Sequence, residues 1–214
     1  MTSLVTLSAS YGAGGSRIGP ALAERLQAPF VDRLIPLAVA ESLEVPFDDA
    51  VAHDQKVVSS WLERLLRGFA AADPGVPGPL VGEDFSTDAF RRATEEVIRA
   101  QAATGRGVIL GRAGAVLLRD DPRVLRVRLD GPPERRVRQA ARLGGLEEET
   151  ARRALPKADR THLAYVRHFY NLDVRDPQLY HIVIDSTAIP IDTCVEVIAI
   201  AAAAVEVTSG NYSM

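Results

Sequence analysis

Near its start the chain reads Ser8-Ala9-Ser10-Tyr11-Gly12-Ala13-Gly14-Gly15-Ser16-Arg17-Ile18-Gly19, with four glycines in twelve residues. The apolar run 4–7 before it predicts a buried strand, and the segment 21–26 after it predicts an amphipathic helix. Glycines let a backbone approach an anion closely and turn its N–H groups inward. A helix N-terminus adds partial positive charge at the same point. The stretch therefore predicts a phosphate-binding loop between a strand and a helix.

The loop is close to the P-loop pattern G-x-x-x-x-G-K-[ST] but departs from it at two positions. Aligned on the pattern, Gly14 and Ser16 supply the second glycine and the hydroxyl. Ala9 stands at the first glycine, and Gly15 stands at the lysine. Because short glycine motifs also occur in turns that bind nothing, that alternative stays open at this point.

Composition bounds the class of protein. The 214 residues, 47% hydrophobic and 25% charged, suit one α/β domain with room for a small inserted subdomain. A net charge of −3 gives no overall field that would attract nucleic acid or an anionic membrane. No signal peptide or bilayer-spanning segment is evident, and the single Cys194 is expected in the core. We therefore expect a cytoplasmic protein, with homo-oligomerisation left open.

Hydrophobic patterns predict alternating strands and helices. The predicted strands are 5–7, 28–32, 107–110, 124–129 and 181–185. The predicted helices are 21–26, 34–43, 48–69, 88–104, 134–143, 147–154 and 192–207. Three details go with these predictions. Pro20 implies a late or distorted start of the first helix, Pro156 is expected to end the helix 147–154, and Arg126 and Arg128 suggest a less buried face on their strand.

The alternating order predicts a parallel sheet covered on both faces, with ligands at the carboxyl ends of the strands. Four segments fall at or beside those ends: the glycine loop, Asp32-Arg33, Gly111-Arg112 and 157–176. Together they would combine backbone N–H groups, a carboxylate and several guanidinium groups. Phosphoryl transfer uses such a set of groups. For any one of these arginines taken alone, the alternative is a solvated surface residue.

The same residues resemble the cytidylate kinase-like group of P-loop nucleoside monophosphate kinases. The stretches that carry the likeness are 7–16, 29–32, 108–112, 127–136, 159–173 and 180–187. In this group, too, a glycine stands where other P-loops have lysine. The resemblance covers most of the chain outside about 48–104.

This resemblance implies a three-layer P-loop α/β fold with a parallel sheet in one domain, 1–214. It also implies a helical monophosphate-binding insert at about 36–104 and a lid at about 144–178. The implied reaction is transfer of the γ-phosphoryl group of ATP, with Mg²⁺, to CMP or a related nucleotide.

The resemblance also implies roles for individual residues. Those expected to hold the ATP phosphates are Ser10, Tyr11, Gly12, Ala13, Gly14, Gly15, Ser16 and Arg17. Those expected to bind the acceptor are Asp32, Arg33, Arg112 and Arg136. The missing lysine and aspartate, rather than the resemblance, suggest three catalytic residues: Asp32 could organise water around magnesium, and Arg17 or, by preference, Arg160 could supply the missing cation. Ser16 is the hydroxyl expected nearest the metal.

Two features of the sequence keep alternatives open. Gly15 replaces the lysine of the P-loop, and Leu110 replaces the aspartate of an Asp-Gly-Arg segment. A nucleotide-binding protein without catalysis, acting as a sensor or scaffold, is the first alternative. A kinase for a non-nucleotide acceptor is the second.

Overall fold

The computed structural model describes residues 4–31 and 87–211. Asp32, Arg33 and most of the predicted insert lie outside these ranges. The strands are β1 (Leu4–Ala9), β2 (Phe30–Val31), β3 (Gly107–Leu110), β4 (Val124–Asp130) and β5 (Ile182–Asp185). The helices are α1 (Gly15–Arg25), α2 (Thr87–Ala103), α3 (Gly114–Leu117), α4 (Pro133–Gly144), α5 (Glu148–Tyr170) and α6 (Ile191–Asn211), with a 3₁₀ turn at Pro177–Leu179.

The five strands form one parallel sheet in the order β2-β3-β1-β4-β5. β1 lies at its centre and is buried along its whole length. Leu7 of β1 is level with Leu110 of β3 on one side and with Val127 of β4 on the other. The carboxyl ends of these three strands therefore meet at one edge of the sheet, as the alternating pattern predicts.

The main core lies between the sheet and helices α1 and α6. Val5, Leu7, Ile18, Leu22 and Ile198 are all at most 1% exposed within it. Cys194 is buried in the same cluster, which confirms its predicted place in the core. No helix in residues 4–31 and 87–211 is long and apolar enough to cross a bilayer.

The prediction that Pro156 ends a helix is wrong. α5 continues through Pro156 and ends at Tyr170. The proline removes one N–H donor from the helix, but the buried side chains Leu155, Tyr165 and Val166 hold the helix on both sides of it. Pro20 likewise lies inside α1, which begins at Gly15 and so does not start late.

The expectation of a less buried face on β4 is wrong for Arg128, which is 5% exposed. Its guanidinium donates to Asp130 Oδ2 at 2.8 Å, to Ser10 Oγ at 2.9 Å and to the Val174 carbonyl at 3.1 Å. A buried charge is tolerated when it is paired and hydrogen-bonded in this way. The alternation along β4 therefore marks a buried polar network that joins β4 to Ser10 and to Val174, which follows α5.

Candidate functional site

A tight loop, residues 10–14, joins β1 to α1 at the carboxyl edge of the sheet. Gly12 and Gly14 adopt left-handed φ values of 77° and 75°, and the Ala13 N–H closes the turn by donating to the Ser10 carbonyl at 3.0 Å. Within the described chain, no protein acceptor receives the N–H groups of Gly12, Gly14, Gly15 or Ser16. Free N–H groups at the start of an 11-residue helix form an anion-binding cradle.

The position of the missing lysine has no room for a side chain. A Cβ on Gly15 would lie 2.6 Å from the Ala9 Cβ and 3.2 Å from Leu110 Cδ1. Ala9 and Gly15 depart from the P-loop pattern, and Leu110 replaces the aspartate of the Asp-Gly-Arg segment. Ala9 and Leu110 both flank Gly15. Apolar packing therefore fills the space at which the pattern would place a lysine and an aspartate.

Arg136 of α4 fastens the loop to the rest of the site. Its side chain is 7% exposed, and it donates to the carbonyls of Tyr11 and Gly131 and to both oxygens of Asp159. A Cβ on Gly12 would overlap the Arg136 carbonyl, so the close approach of α4 to the loop requires glycine at position 12. The described conformation uses the Arg136 guanidinium for protein contacts, and its predicted role as a phosphate ligand stays a prediction.

Arg112 lies in an unusual stretch of backbone just after β3. Gly111, Arg112 and Ala113 have φ values of 72°, 54° and 53°, three left-handed residues in a row. L-residues adopt this conformation at a cost of roughly 1–2 kcal/mol each, and such strain concentrates at functional sites. The Gly111 N–H donates to the Leu7 carbonyl at 2.8 Å, which ties the stretch to the end of β1. Arg112 is 5% exposed and is therefore held at the carboxyl edge of the sheet.

A polar groove of about 260 Å³ runs along α4 next to the loop. It is lined by Arg135, Arg138, Gln139, Arg142 and Thr187. Gln139 is 7% exposed, its amide nitrogen has no hydrogen-bond partner in the described chain, and a Cβ on Gly14 would lie 3.1 Å from it. Sequence reasoning missed this groove. The spacing of Arg135, Arg138 and Arg142 on one helical face was the available signal.

Two aspartates at strand ends are engaged in protein contacts. Burial alone would raise the pKa of Asp130, but Arg128 and the Gly131 N–H outweigh it, so the pKa lies below its usual value. The Thr187 hydroxyl, and then Arg135, lower the pKa of Asp185. Both carboxylates are therefore ionised near neutral pH and orient neighbouring side chains.

Other predicted residues lie at the surface. Ser16 and Arg17 are exposed on the first turn of α1, and Arg160 is exposed on α5. In the described chain Arg17 and Arg160 have no ion pair. Asp32 and Arg33 lie outside the described residues. The structure thus brings together the loop, Arg112 and Arg136 and leaves two arginines available near them.

The residues present fit a nucleotide phosphate chain better than a protein-only metal site. The described residues contain no cluster of three or more His, Cys, Asp or Glu that could hold a metal ion. Mg²⁺ commonly takes most of its ligands from water and from substrate phosphates. Ser16 is the side chain at the start of α1 that could supply a protein oxygen to such a complex.

Two of the solved structures that resemble this chain show the likeness. An uncharacterized protein from Eubacterium ventriosum ATCC 27560 is 20% identical with a TM-score of 0.60, over 92% of this chain and 95% of that one. A gluconokinase from Sinorhizobium meliloti 1021 is 15% identical with a TM-score of 0.53, over 100% of this chain and 98% of that one. At these identities the likeness shows a shared fold. It confirms the predicted P-loop kinase fold with its parallel sheet.

The sequence comparisons add the family. No curated protein sequence matches the chain. The profile of the cytidylate kinase-like family matches residues 4–188, which include the phosphate loop, the left-handed stretch at Arg112, and α4 and α5. This protein therefore belongs to the cytidylate kinase-like family.

Proposed function

We propose that this protein is a phosphotransferase that moves the γ-phosphoryl group of ATP to CMP or a related nucleoside monophosphate. One observation carries the proposal: four loop N–H groups without protein acceptors open at the start of α1, at the sheet edge that also holds the buried Arg112. ATP with Mg²⁺ supplies the activated phosphoryl group. The protein supplies binding, orientation and positive charge, which phosphoryl transfer mainly requires.

The donor side is the phosphate loop together with the α4 groove. The loop N–H groups donate hydrogen bonds to the phosphate oxygens, since hydrogen bonds to anions are short and strong. The groove carries Arg135, Arg138, Arg142 and the unpaired amide of Gln139, and it adjoins Gly14. We assign the nucleoside part of ATP to this groove.

The acceptor side is built around Arg112. Its guanidinium is placed by strained backbone and burial, and a guanidinium binds a phosphate with two parallel hydrogen bonds. We assign the acceptor phosphate to Arg112. Asp32 and Arg33, outside the described residues, stay predicted neighbours of this subsite.

The test is binding measured separately from turnover. Titration calorimetry with ATP gives donor affinity, and transfer of labelled γ-phosphate to each nucleoside monophosphate, to gluconate and to shikimate gives the acceptor. Gly14→Val should abolish ATP binding, because valine disfavours the left-handed φ of 75° at Gly14 and its side chain would press on Gln139, so the loop would change shape. Phosphate transfer to gluconate or shikimate, with none to a nucleoside monophosphate, would contradict the nucleotide acceptor and indicate a small polyol acid in its place.

Arg112→Ala should raise the KM of the acceptor at least tenfold and leave ATP affinity nearly unchanged. Lys at this position should rescue only partly, because the two-pronged geometry is lost. Arg123→Ala is the matched control. Like Arg112→Ala, it removes one arginine. Arg123 pairs with Asp121 just before β4 begins, at the edge of the sheet opposite to Arg112. Equal loss of both substrates would remove Arg112 from the acceptor subsite.

A cation must meet the transferred phosphate if the lysine is absent, and we assign this role to Arg160. Arg160→Ala should lower kcat about a hundredfold with little change in ATP affinity, the result expected for an interaction made in the transition state. Losing one well-placed donor at a reacting oxyanion typically costs about 2.7–4 kcal/mol. Arg17→Ala, measured beside it, tests the other exposed arginine near the loop. Unchanged turnover in Arg160→Ala would contradict the assignment, and loss of turnover in Arg17→Ala alone would move the role to Arg17.

The packing at Gly15 favours a second candidate, a nucleotide-binding protein without catalysis. Ala9 and Leu110 fill the space of the groups that normally accompany transfer. ATP binding with no labelled phosphate moved to any acceptor would establish this alternative and exclude the kinase.

A further inference from the structure

A carboxylate from α5 lies against the phosphate loop. Asp159 Oδ1 accepts the Tyr11 N–H at 3.3 Å and Arg136 Nη1 at 3.0 Å, and Oδ2 accepts Arg136 Nη2 at 2.8 Å. A backbone N–H of the loop and a guanidinium therefore converge on one anionic group. This donor set is also the set that proteins use to hold phosphate oxygens.

Contacts other than the one with Asp159 also hold the Arg136 guanidinium in place. Arg136 Nε donates to the Gly131 carbonyl at 3.0 Å, and Nη1 also donates to the Tyr11 carbonyl at 3.0 Å. Its side chain is 7% exposed, whereas that of Asp159 is 33% exposed. The guanidinium is thus fixed by two backbone carbonyls and by Asp130, whose Oδ1 lies 3.6 Å from Nε, and Asp159 is the more exposed partner that can be exchanged for another anion.

We propose that the Tyr11 N–H and Arg136 form an anion subsite of the phosphate loop, that Asp159 occupies this subsite before nucleotide binds, and that a phosphate group of the bound nucleotide displaces Asp159. The proposal rests on the proposed function, because it assigns a phosphate chain to the loop. Asp159, a residue of α5, then competes with phosphate for this subsite, so that weakly charged ligands do not displace it.

Charge and geometry favour the exchange. A terminal phosphate brings more negative charge and more acceptor oxygens than one carboxylate. It also reaches the N–H groups of Gly12, Gly14, Gly15 and Ser16, which Asp159 does not use.

The experiment compares two variants that each remove one negative charge from α5. Asp159→Asn removes the charge at the loop. Glu149→Gln is the matched control, because Glu149 pairs with Arg153 on the exposed surface of the same helix. Affinities for inorganic tripolyphosphate and for Mg·ATP are measured by titration calorimetry. Asp159→Asn should bind tripolyphosphate about tenfold more tightly than the unmodified protein, and Glu149→Gln should stay within twofold.

A purely supporting role for Asp159 predicts a different change in tripolyphosphate affinity. If Asp159 only supports the loop, its removal loosens the loop, and tripolyphosphate affinity falls or stays the same, which overturns the proposal. An equal gain in tripolyphosphate affinity in both variants would show that only the loss of a negative charge matters, and it would also overturn the proposal. Circular dichroism checks folding, and Asp159→Ser provides a second variant should the asparagine protein not fold. Adding Arg136→Gln to Asp159→Asn should abolish the gain.

The two proposals fail differently. If the protein turns over ATP but Asp159→Asn binds tripolyphosphate more weakly than the unmodified protein, the kinase proposal stands and the displacement of Asp159 by phosphate is refuted. Tighter tripolyphosphate binding in Asp159→Asn, with no ATP binding in any variant, would leave the subsite and refute the kinase.

Discussion

At the scale of single residues, the phosphate loop is governed by one small packing unit. Ala9 and Leu110 flank Gly15, the position at which a conventional P-loop has its lysine. Sequence comparison shows these as separate departures. The distances show that each one depends on the others, because the methyl group and the leucine fill the space above Gly15.

Gly15→Lys should therefore lower the free energy of unfolding, by about 1–3 kcal/mol, the usual cost of overpacking a tight site. The double variant Ala9→Gly with Gly15→Lys should recover part of that loss, because it removes the contact at 2.6 Å. Urea unfolding of the two proteins and of Ala9→Gly alone measures the coupling. Additive effects would mean that the two positions do not compete for space.

At the scale of elements, α5 is the feature that sequence reasoning described least well. Pro156 predicts a helix end, yet the helix runs on to Tyr170. Asp159 touches the loop, and eleven residues later, about 16 Å along the axis, the Tyr170 hydroxyl donates to Glu95 of α2 at 3.1 Å. Burial raises the pKa of Tyr170, so this hydroxyl keeps its proton at neutral pH. Such tertiary contacts outweigh a local helix-breaking signal.

Pro156→Ala should stabilise the protein. Alanine restores an N–H that can reach the Arg152 carbonyl, and an interior proline costs roughly 3 kcal/mol against alanine in a helix. Alanine also frees the unfolded chain, which offsets up to about 1 kcal/mol. We expect a net gain of about 2 kcal/mol in the free energy of unfolding, measured with urea. Unchanged or lower stability would show that α5 is already adapted to the proline.

At the scale of the whole molecule, the sequence predicts the architecture well and the contacts poorly. The strands β1, β3, β4 and β5 and the meeting of their ends follow from apolar runs, which carry a strong local signal. The pairing of Arg136 with Asp159, and the burial of Arg128, join residues far apart in the chain. No spacing rule links residues 118 or 23 positions apart. α3, with four residues, is too short to produce a periodic pattern.

The pH dependence of stability reports on the β4–β5 edge. His181 Nδ1 accepts the Arg126 N–H at 3.2 Å, and burial, then Arg126, lowers the pKa of His181 below its usual 6.5. The neutral ring is therefore favoured in the folded state. Its contribution is present above pH 6.5 and is lost as the pH falls through the folded pKa, by at most about 1.4 kcal/mol per pH unit.

His181→Gln should flatten the fall in unfolding free energy between pH 7 and 5. His168→Gln, on the exposed side of α5, is the control for replacing a histidine that lies away from this edge. Asp130 and Asp185, whose pKa values are lowered, act only below this window. A slope that His181→Gln does not alter would contradict the role of the ring at this edge.

The contact between Ala9 and a Cβ on Gly15 also restricts the mutational routes open to this loop. A lysine loop differs from the present one by two substitutions, and the order in which they occur matters. Ala9→Gly first leaves a folded protein with a roomier loop, whereas Gly15→Lys first passes through a crowded one. In directed evolution towards a lysine P-loop, variants that carry glycine at position 9 should appear before any that carry lysine at position 15.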